Sequence, residues 1–529
     1  MCEECSFYYI VSYANKEKTN NTHEKDLHIT KKRYTFADVF HLINSLKQMV
    51  KRKIVCLLSA LTLFSAVSSA QVTARVEYPY KEYKDVYTIP MGENGVLQQM
   101  FEKKTHDGKR WLKMRHYDTN LKLKTIDSVE VDKGMDIYGS KMDQGTCYTM
   151  LRDGSDFSVL AYNTTTHKIK MLDGEYSRKA SMRDFTIGGG YLVFSSTQKK
   201  LDRIGIVNLS TGESRFIDMH LKGVRDKDIY VMENTIIDKE VNALVRVGRD
   251  VLLVRYGMDG EQRSMICLTE NISEAILSAS IQKSAGRYFV TGTYTTNKKG
   301  KSQGFYFAQL EGEKFKFIKF YNFLDLKNFT EFMSNKAKAK VERKKQKAEE
   351  KGKELTMNYL ITSHDVIEEK GNFYYIAESY YPTYTYIYTG RTSQQVFNGY
   401  FYTHAILIKF DSKGNVVWDN CFPMQPSYRP YSVKHFISAS LGGNNLNAIF
   451  TDGKKLVSKS FNKVNGTVTQ DRNVEMIKTG NDDEDVKRSF TNSDYWYGKN
   501  FLLYGNQVVK NSATRDRQHV FYLSKYTTK

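Results

Sequence analysis

Proline is rare in this chain of 529 residues, at six, and cysteine is equally rare. So few prolines leave long stretches able to donate every backbone N–H to a strand ladder. The cysteines are Cys2, Cys5, Cys56, Cys147, Cys267 and Cys421, and only the last three lie beyond residue 70. An odd number at wide spacing excludes a disulfide framework. Cys2 and Cys5 form one isolated CxxC, which by itself makes no metal site. Cys267, in the run Ser264-Met265-Ile266-Cys267-Leu268, is expected as a small core hydrophobe.

Long apolar runs are missing too. The run Ile54 to Val67 has 14 residues diluted by Ser and Thr, against the roughly 20 needed to cross a bilayer. The motifs whose spacing dictates a mechanism are also absent: HExxH, GxSxG, the Walker A loop and the EF-hand loop. The sequence therefore leans away from an enzyme and implies no cofactor and no metal. Beyond residue 70 the histidines are His106, His116, His167, His220, His364, His404, His435 and His519, scattered without ligand spacing. A site assembled from distant segments stays open. His404 is the one mild candidate, and it reads first as a packed strand residue. Asp482-Asp483-Glu484-Asp485 offers oxygen ligands for a hard cation but lacks the alternate spacing and turn glycine of a dedicated loop, so it reads as solvated. Gly188-Gly189-Gly190 precedes the strand-like Tyr191-Leu192-Val193-Phe194 with no helix after it, which makes a tight turn and not a phosphate cradle.

What the chain does have is positive charge, aromatic side chains and a leader. The net charge is +20; the first 70 residues carry ten Lys/Arg and six Asp/Glu, leaving 69 against 53, or +16, for the rest. Such a surface draws acidic glycans, lipopolysaccharide phosphates, membrane surfaces or nucleic acid, or simply keeps the protein soluble. Residues 49–70 read as a signal peptide: Lys51, Arg52 and Lys53, then the short apolar run, then Ser68-Ser69-Ala70, with cleavage before Gln71. Lys53-Ile54-Val55 before Cys56 is not a lipobox. Met49 opens this segment, so residues 1–48 are expected to be an upstream extension outside the native start. The rest is expected outside the cytoplasm, in the periplasm or at the cell surface. Export argues against nucleic acid as a partner.

From residue 75 onward short alternating runs are joined by polar turns. Examples are Ile204-Gly205-Ile206-Val207-Asn208-Leu209 turning at Ser210-Thr211-Gly212, and Ala405 to Asp411 turning at Lys413-Gly414-Asn415. Alternation with Asn, Asp and Gly turns is the signature of hairpins. Tyr117, Tyr162, Asn208 and Tyr256 follow one another at 45, 46 and 48 residues. A period of 40–50 residues with several strands per unit predicts an all-β fold, a β-propeller of seven or eight blades over 71–529. The alternative is a pair of β-sandwiches.

One unit carries an insertion at 325–357, free of proline, which predicts a helix. Phe329, Phe332, Met333 and Val341 line its packed side near the start. Lys336, Lys338, Lys340, Arg343, Lys344, Lys345 and Lys347 make it strongly basic. It is either a solvated insert or an arm for an anionic partner, including peripheral contact with an anionic membrane surface.

Residues 373–402 hold twelve Phe or Tyr in 30 positions. Phe373 to Ala377 and Tyr402 to Phe410 read as paired strands, with a long hairpin or loop between them carrying Tyr380, Tyr381, Tyr384, Tyr386 and Tyr388. Exposed tyrosines offer flat faces with a polar tip for stacking sugars or gripping a peptide. Arg391 adds a donor fork for carboxylate or phosphate. The same rings could instead clasp adjacent blades. Tyr380-Tyr381-Pro382-Thr383-Tyr384, Gly399-Tyr400, Tyr402-Thr403-His404-Ala405, Phe410-Asp411, Gly414-Asn415 and Trp418-Asp419-Asn420 resemble a group of exported Bacteroidetes proteins with propeller-like folds. The resemblance spans 373–420 and implies fold and envelope location, with no activity or site residue to carry over. Three functions are therefore expected in competition. The first is an exported non-catalytic binding or scaffold module for an envelope protein or glycan. The second is a glycan hydrolase or lyase with its site in the propeller channel. The third is an envelope structural protein whose basic helix rests on anionic lipid.

Overall fold

The computed structural model describes residues 71–80, 83–154, 156–175, 180–270, 272–297, 300–390 and 392–528. The segments expected as a leader at 49–70 and an upstream extension at 1–48, with Cys2, Cys5 and Cys56, and Arg391 lie outside them. Among the described residues the strands group into eight antiparallel sheets, each built on a four-stranded meander, six of them with four consecutive strands and no more. Blade 1 holds residues 83–132, blade 2 136–175, blade 3 181–218 and blade 4 229–267. Blade 5 holds 275–322, blade 6 360–423, with an extra short strand Ile367–Glu369, and blade 7 438–476. Blade 8 is completed by both ends of this region: the strands within 484–527 are joined by Gln71–Pro79, in register from Gln71 opposite Thr527 to Pro79 opposite Val520.

The repeat is stable because each sheet buries both faces against its neighbours. Leu192 and Phe194 of blade 3 pack with Phe157 and Val159 of blade 2, while Val193 between them packs with Val241 and Val245 of blade 4. Eight such clusters sit one at each junction between successive blades. Each fully buried Val, Leu, Ile or Phe contributes about 1.5–3 kcal/mol. The eighth junction joins Val96 and Tyr117 of blade 1 to Trp496, Leu502, Phe521 and Leu523 of blade 8. There the Trp496 indole N–H donates to the Gly95 carbonyl at 2.9 Å. Gly95 has φ +103°, and a Cβ on it would lie 1.9 Å from the Tyr117 carbonyl, so only glycine fits. This closed succession is an eight-bladed β-propeller and not a pair of sandwiches.

The period seen at the tyrosines has a cause in turn chemistry. Tyr117, Tyr162 and Tyr256 lie at the ends of third strands, where the chain turns out to the fourth. The residue in register in blade 3 is Val207, one before Asn208. Asp118, Asn163, Asn208, Asp411 and Asn462 each follow such an anchor, and each side chain accepts the backbone N–H two residues on at 2.8–3.1 Å. Asn and Asp hold the turn in this way without a second chain segment.

Cys267 departs from expectation: it is exposed. It ends the fourth strand of blade 4, which has one buried face, and Ile266 takes that face. Cys147 and Cys421 are buried and unbridged, and burial pushes both thiols up to about 12.

Candidate functional site

In every blade the turn between the second and third strands and the connection to the next blade emerge at the same end, because the strands alternate in direction. Blade 6 is elaborated at that end three times. Its second and third strands, Asn372–Thr389 and Thr392–Phe410, run 18 and 19 residues and stay paired up to Thr389 opposite Thr392. Their flanking strands stop short, at Leu360 opposite Tyr380 and Pro423 opposite His404. Residues 381–401 therefore project as a free two-stranded ribbon.

A lone ribbon is marginal in water, and here aromatic rings brace it. Tyr384 packs on Phe397 at 5.8 Å between centroids, Phe397 on Tyr400 at 5.0 Å, and Tyr400 on Tyr380 at 5.3 Å. The connection to blade 7 supports one side: Tyr431 packs on Phe397 at 5.9 Å, and the Tyr400 N–H donates to the Pro430 carbonyl at 2.8 Å. The sequence-predicted tyrosines therefore divide. Tyr380 is half-buried at the root and braces. Tyr381 is exposed beside Phe401, whose ring carries the Arg429 guanidinium above it. Tyr384, Tyr386 and Tyr388 alternate onto one face opposite Phe397, Gln395 and Ser393, with 48, 58 and 78% of their surface exposed.

The insertion roots at the base of this ribbon. Asp419 of blade 6 accepts the backbone N–H groups of Lys327 at 3.0 Å and Asn328 at 2.7 Å. The short turn Phe329–Phe332 buries Phe329 and lays Phe332 on His404, whose imidazole burial holds at about 3. His404 is thus a neutral packed ring, as expected of a strand residue. The helix α1, Asn335–Glu349, follows, capped by Ser334, whose side chain accepts the Ala337 N–H. Of its basic side chains, Lys338 turns back to Glu331 at 2.8 Å and Lys345 to the Leu324 carbonyl at 3.5 Å. Lys336, Lys340, Arg343, Lys344 and Lys347 face outward, and no acidic side chain pairs with them among the described residues.

A second concentration of chemistry lies along the innermost strands. A recess of about 320 Å³ is lined by Glu233 of blade 4, Ser280 of blade 5, and Thr362, His364, Asp365 and Tyr375 of blade 6. Glu233 accepts from Ser280 at 3.1 Å, and burial pushes its carboxyl up to about 7, with Asp365 and Asp184 adding in the same direction. Beside it the fully buried Glu378 accepts from His364 at 2.8 Å and from the Phe436 and Ile437 N–H groups. His435 stacks on His364 at 4.0 Å; burial first, then His364, lowers its affinity for a proton. Glu233, His364, Glu378 and His435 come from two blades, 4 and 6, and the connector to blade 7, and no sequence spacing marks them.

The remaining candidates are accounted for locally. Asp482, Asp483 and Asp485 are exposed at the start of blade 8, with Asp485 paired to Lys487. Gly189 and Gly190 make the turn between the first two strands of blade 3. Among the described residues no three His, Cys, Asp or Glu side chains converge as a metal-binding set.

No protein-family model and no curated protein matches the chain. Among solved structures it is similar to the dihydro-heme d1 dehydrogenase NirN in complex with DHE, at 7% identity and a TM-score of 0.40, over 86% of this chain and 80% of that one. It is similar to the Dos1 propeller at 8% and 0.39, covering 87% and 95%, and to the polysaccharide lyase Uly1 at 9% and 0.37, covering 85% and 100%. At these values none of them assigns an activity to this chain.

Proposed function

We propose that this protein is an exported, non-catalytic binding module that holds a glycan of the cell envelope on the tyrosine ribbon of blade 6. The observation that carries the reading is the alignment of Tyr384, Tyr386 and Tyr388 on one exposed face of a braced, projecting hairpin. Rings fixed in a row present successive flat apolar faces to stacked sugars, and their hydroxyls reach outward. On the same face Ser393 and Gln395 add a hydroxyl and an amide suited to sugar hydroxyls. The apolar stretch at 54–67 behind three basic residues supports export.

The test is binding of the full-length protein to a panel of immobilised envelope glycans, with Tyr384→Ala/Tyr386→Ala/Tyr388→Ala alongside. Capture lost in the triple variant at unchanged Tm supports the reading. Capture equal in both proteins, or capture of polypeptide alone, removes it.

One observation favours a second reading, a glycan hydrolase or lyase. The Glu233 carboxyl, held near neutrality in a recess shared with His364 and Tyr375, has the proton affinity of a general acid or base. Turnover of a glycan that Glu233→Gln abolishes would establish it.

A further inference from the structure

We propose that α1 and the tyrosine ribbon form one composite site and that its ligand is a linear acidic polysaccharide; this rests on the ribbon reading above. Lys336, Lys340, Arg343, Lys344 and Lys347 recur at i, i+4, i+7, i+8 and i+11, within one side of the helix. They alone line a shallow groove of about 330 Å³. At 1.5 Å per residue the stripe runs about 16 Å, with successive charges about 6, 4.5, 1.5 and 4.5 Å apart along the axis. A row of five closely spaced cations suits a polymer with repeated carboxylates better than a single phosphate.

The stripe also has a cost that a polyanion would relieve. Lys336 with Lys340, Lys340 with Lys344, and Arg343 with Lys347 are like-charge pairs at i, i+4, each destabilising by about 0.2–0.5 kcal/mol. No residue of α1 is fully buried, so packing does little to offset this. A bound polyanion turns the repulsion into attraction.

Two observations favour a polysaccharide over an anionic membrane. A helix that lies in a lipid interface needs an apolar face, and apart from alanines α1 offers only Val341. The ribbon end shows tyrosine, threonine, serine and glutamine with a single isoleucine, Ile387, not the run of large apolar side chains that enters acyl chains. Both elements root on the same end of blade 6, through Asp419 and His404 for the insertion and Tyr380 for the ribbon. In the proposed site a chain stacked on the ribbon would continue toward the stripe.

The test uses the full-length protein with polygalacturonate, with neutral dextran, and with vesicles of equal parts phosphatidylglycerol and phosphatidylcholine. One variant carries Lys336→Gln, Lys340→Gln, Arg343→Gln, Lys344→Gln and Lys347→Gln; another carries the three Tyr→Ala changes. All five positions are exposed and the glutamines relieve the like-charge repulsion, so Tm should hold or rise slightly. Polygalacturonate should bind tightly at low salt and weaken as salt rises. It should lose about tenfold or more in the five-glutamine variant, and lose affinity in the tyrosine variant as well. It should also slow tryptic cleavage within α1. Polygalacturonate binding unchanged by the glutamines overturns the composite site, while a tyrosine effect on dextran would leave the ribbon reading standing. Preference for the vesicles over the polymer overturns the ligand class. A glutamine effect with no tyrosine effect overturns both the composite site and the ribbon reading.

Discussion

The imidazole of His404 lies flat on the ring of Phe332, 3.7 Å between centroids and 6° from parallel. Phe329 and Tyr359 close the nest edge-on. The Thr403 hydroxyl lies 3.3 Å from the Ser379 carbonyl and 2.8 Å from His404 Nδ1, while Nε2 has no hydrogen-bond partner among the described residues. This stack is the pin between the insertion and blade 6.

The pin makes the fold acid-sensitive. His404 is held at about 3 by burial, against about 6.5 in an unfolded chain. Below pH 6.5 the unfolded state takes up a proton that the folded state refuses. Stability is therefore full above pH 6.5 and falls toward pH 3, by about 1.4 kcal/mol per unit from this group alone. Tm measured from pH 7 to pH 4 should fall more steeply in the wild type than in His404→Gln. Parallel curves would show that the ring is not buried neutral.

Glu233 acts in the opposite direction. Its carboxyl stands at about 7, above the ordinary value near 4.5. The unfolded state releases this proton as pH rises through 4.5 while the folded state keeps it, so stability declines between pH 4.5 and 7. Glu233→Gln should be more stable than the wild type at pH 7 and no more stable at pH 4.5, by urea unfolding. An equal gain at both pH values would assign the effect to packing and not to the proton.

Thiol labelling distinguishes the three cysteines beyond residue 70. Native protein should react quickly at Cys267 alone, with Cys147 and Cys421 silent until denaturant is added. Rapid labelling of Cys147 or Cys421 in the native state, read by peptide mapping, would contradict the packing between blades 1 and 2 or that of the insertion on blade 6.

Phe307 sits between blades 5 and 6, within 5.1 Å of both Phe373 and Phe410 and 5.6 Å of Phe289, centroid to centroid. Phe307→Ala should cost about 3–5 kcal/mol, seen as a lower urea midpoint. A loss below about 1 kcal/mol would mean that the junction collapses to fill the space.

The blade period was legible because it rests on local chemistry: a hydrophobic anchor, an Asn or Asp that holds the turn, and alternation on either side. The paired runs at the ribbon's root, Phe373 to Ala377 and Tyr402 to Phe410, were legible from their alternation, and the helix from the absence of proline, although it forms only over Asn335–Glu349 of the 325–357 insertion. Cys267 was misplaced because the run around it is apolar on both sides, and only its place on an outer strand decides that Ile266 points in. Tyr380 looked like its neighbours in sequence, yet the end of the flanking strand at Leu360 separates the braced root from the free ribbon. The recess of Glu233, His364 and Tyr375 left no trace in spacing, since its members are brought together only by the packing of blades 4 to 6 within the closed ring.

That closure also dictates an order of assembly. Blades 1 to 7 are each built from neighbouring residues and can stack as the chain emerges. Blade 8 cannot exist until Thr527 returns to Gln71, a loop of nearly the whole chain whose closure is slow relative to the hairpins. Until then the outer edge of Arg517–Thr527 and both faces of the last junction stay open, and the growing ring is most vulnerable to pairing with another copy at that edge. Gln71–Pro79 thus works as a latch: the first strand made, and the last to find its place.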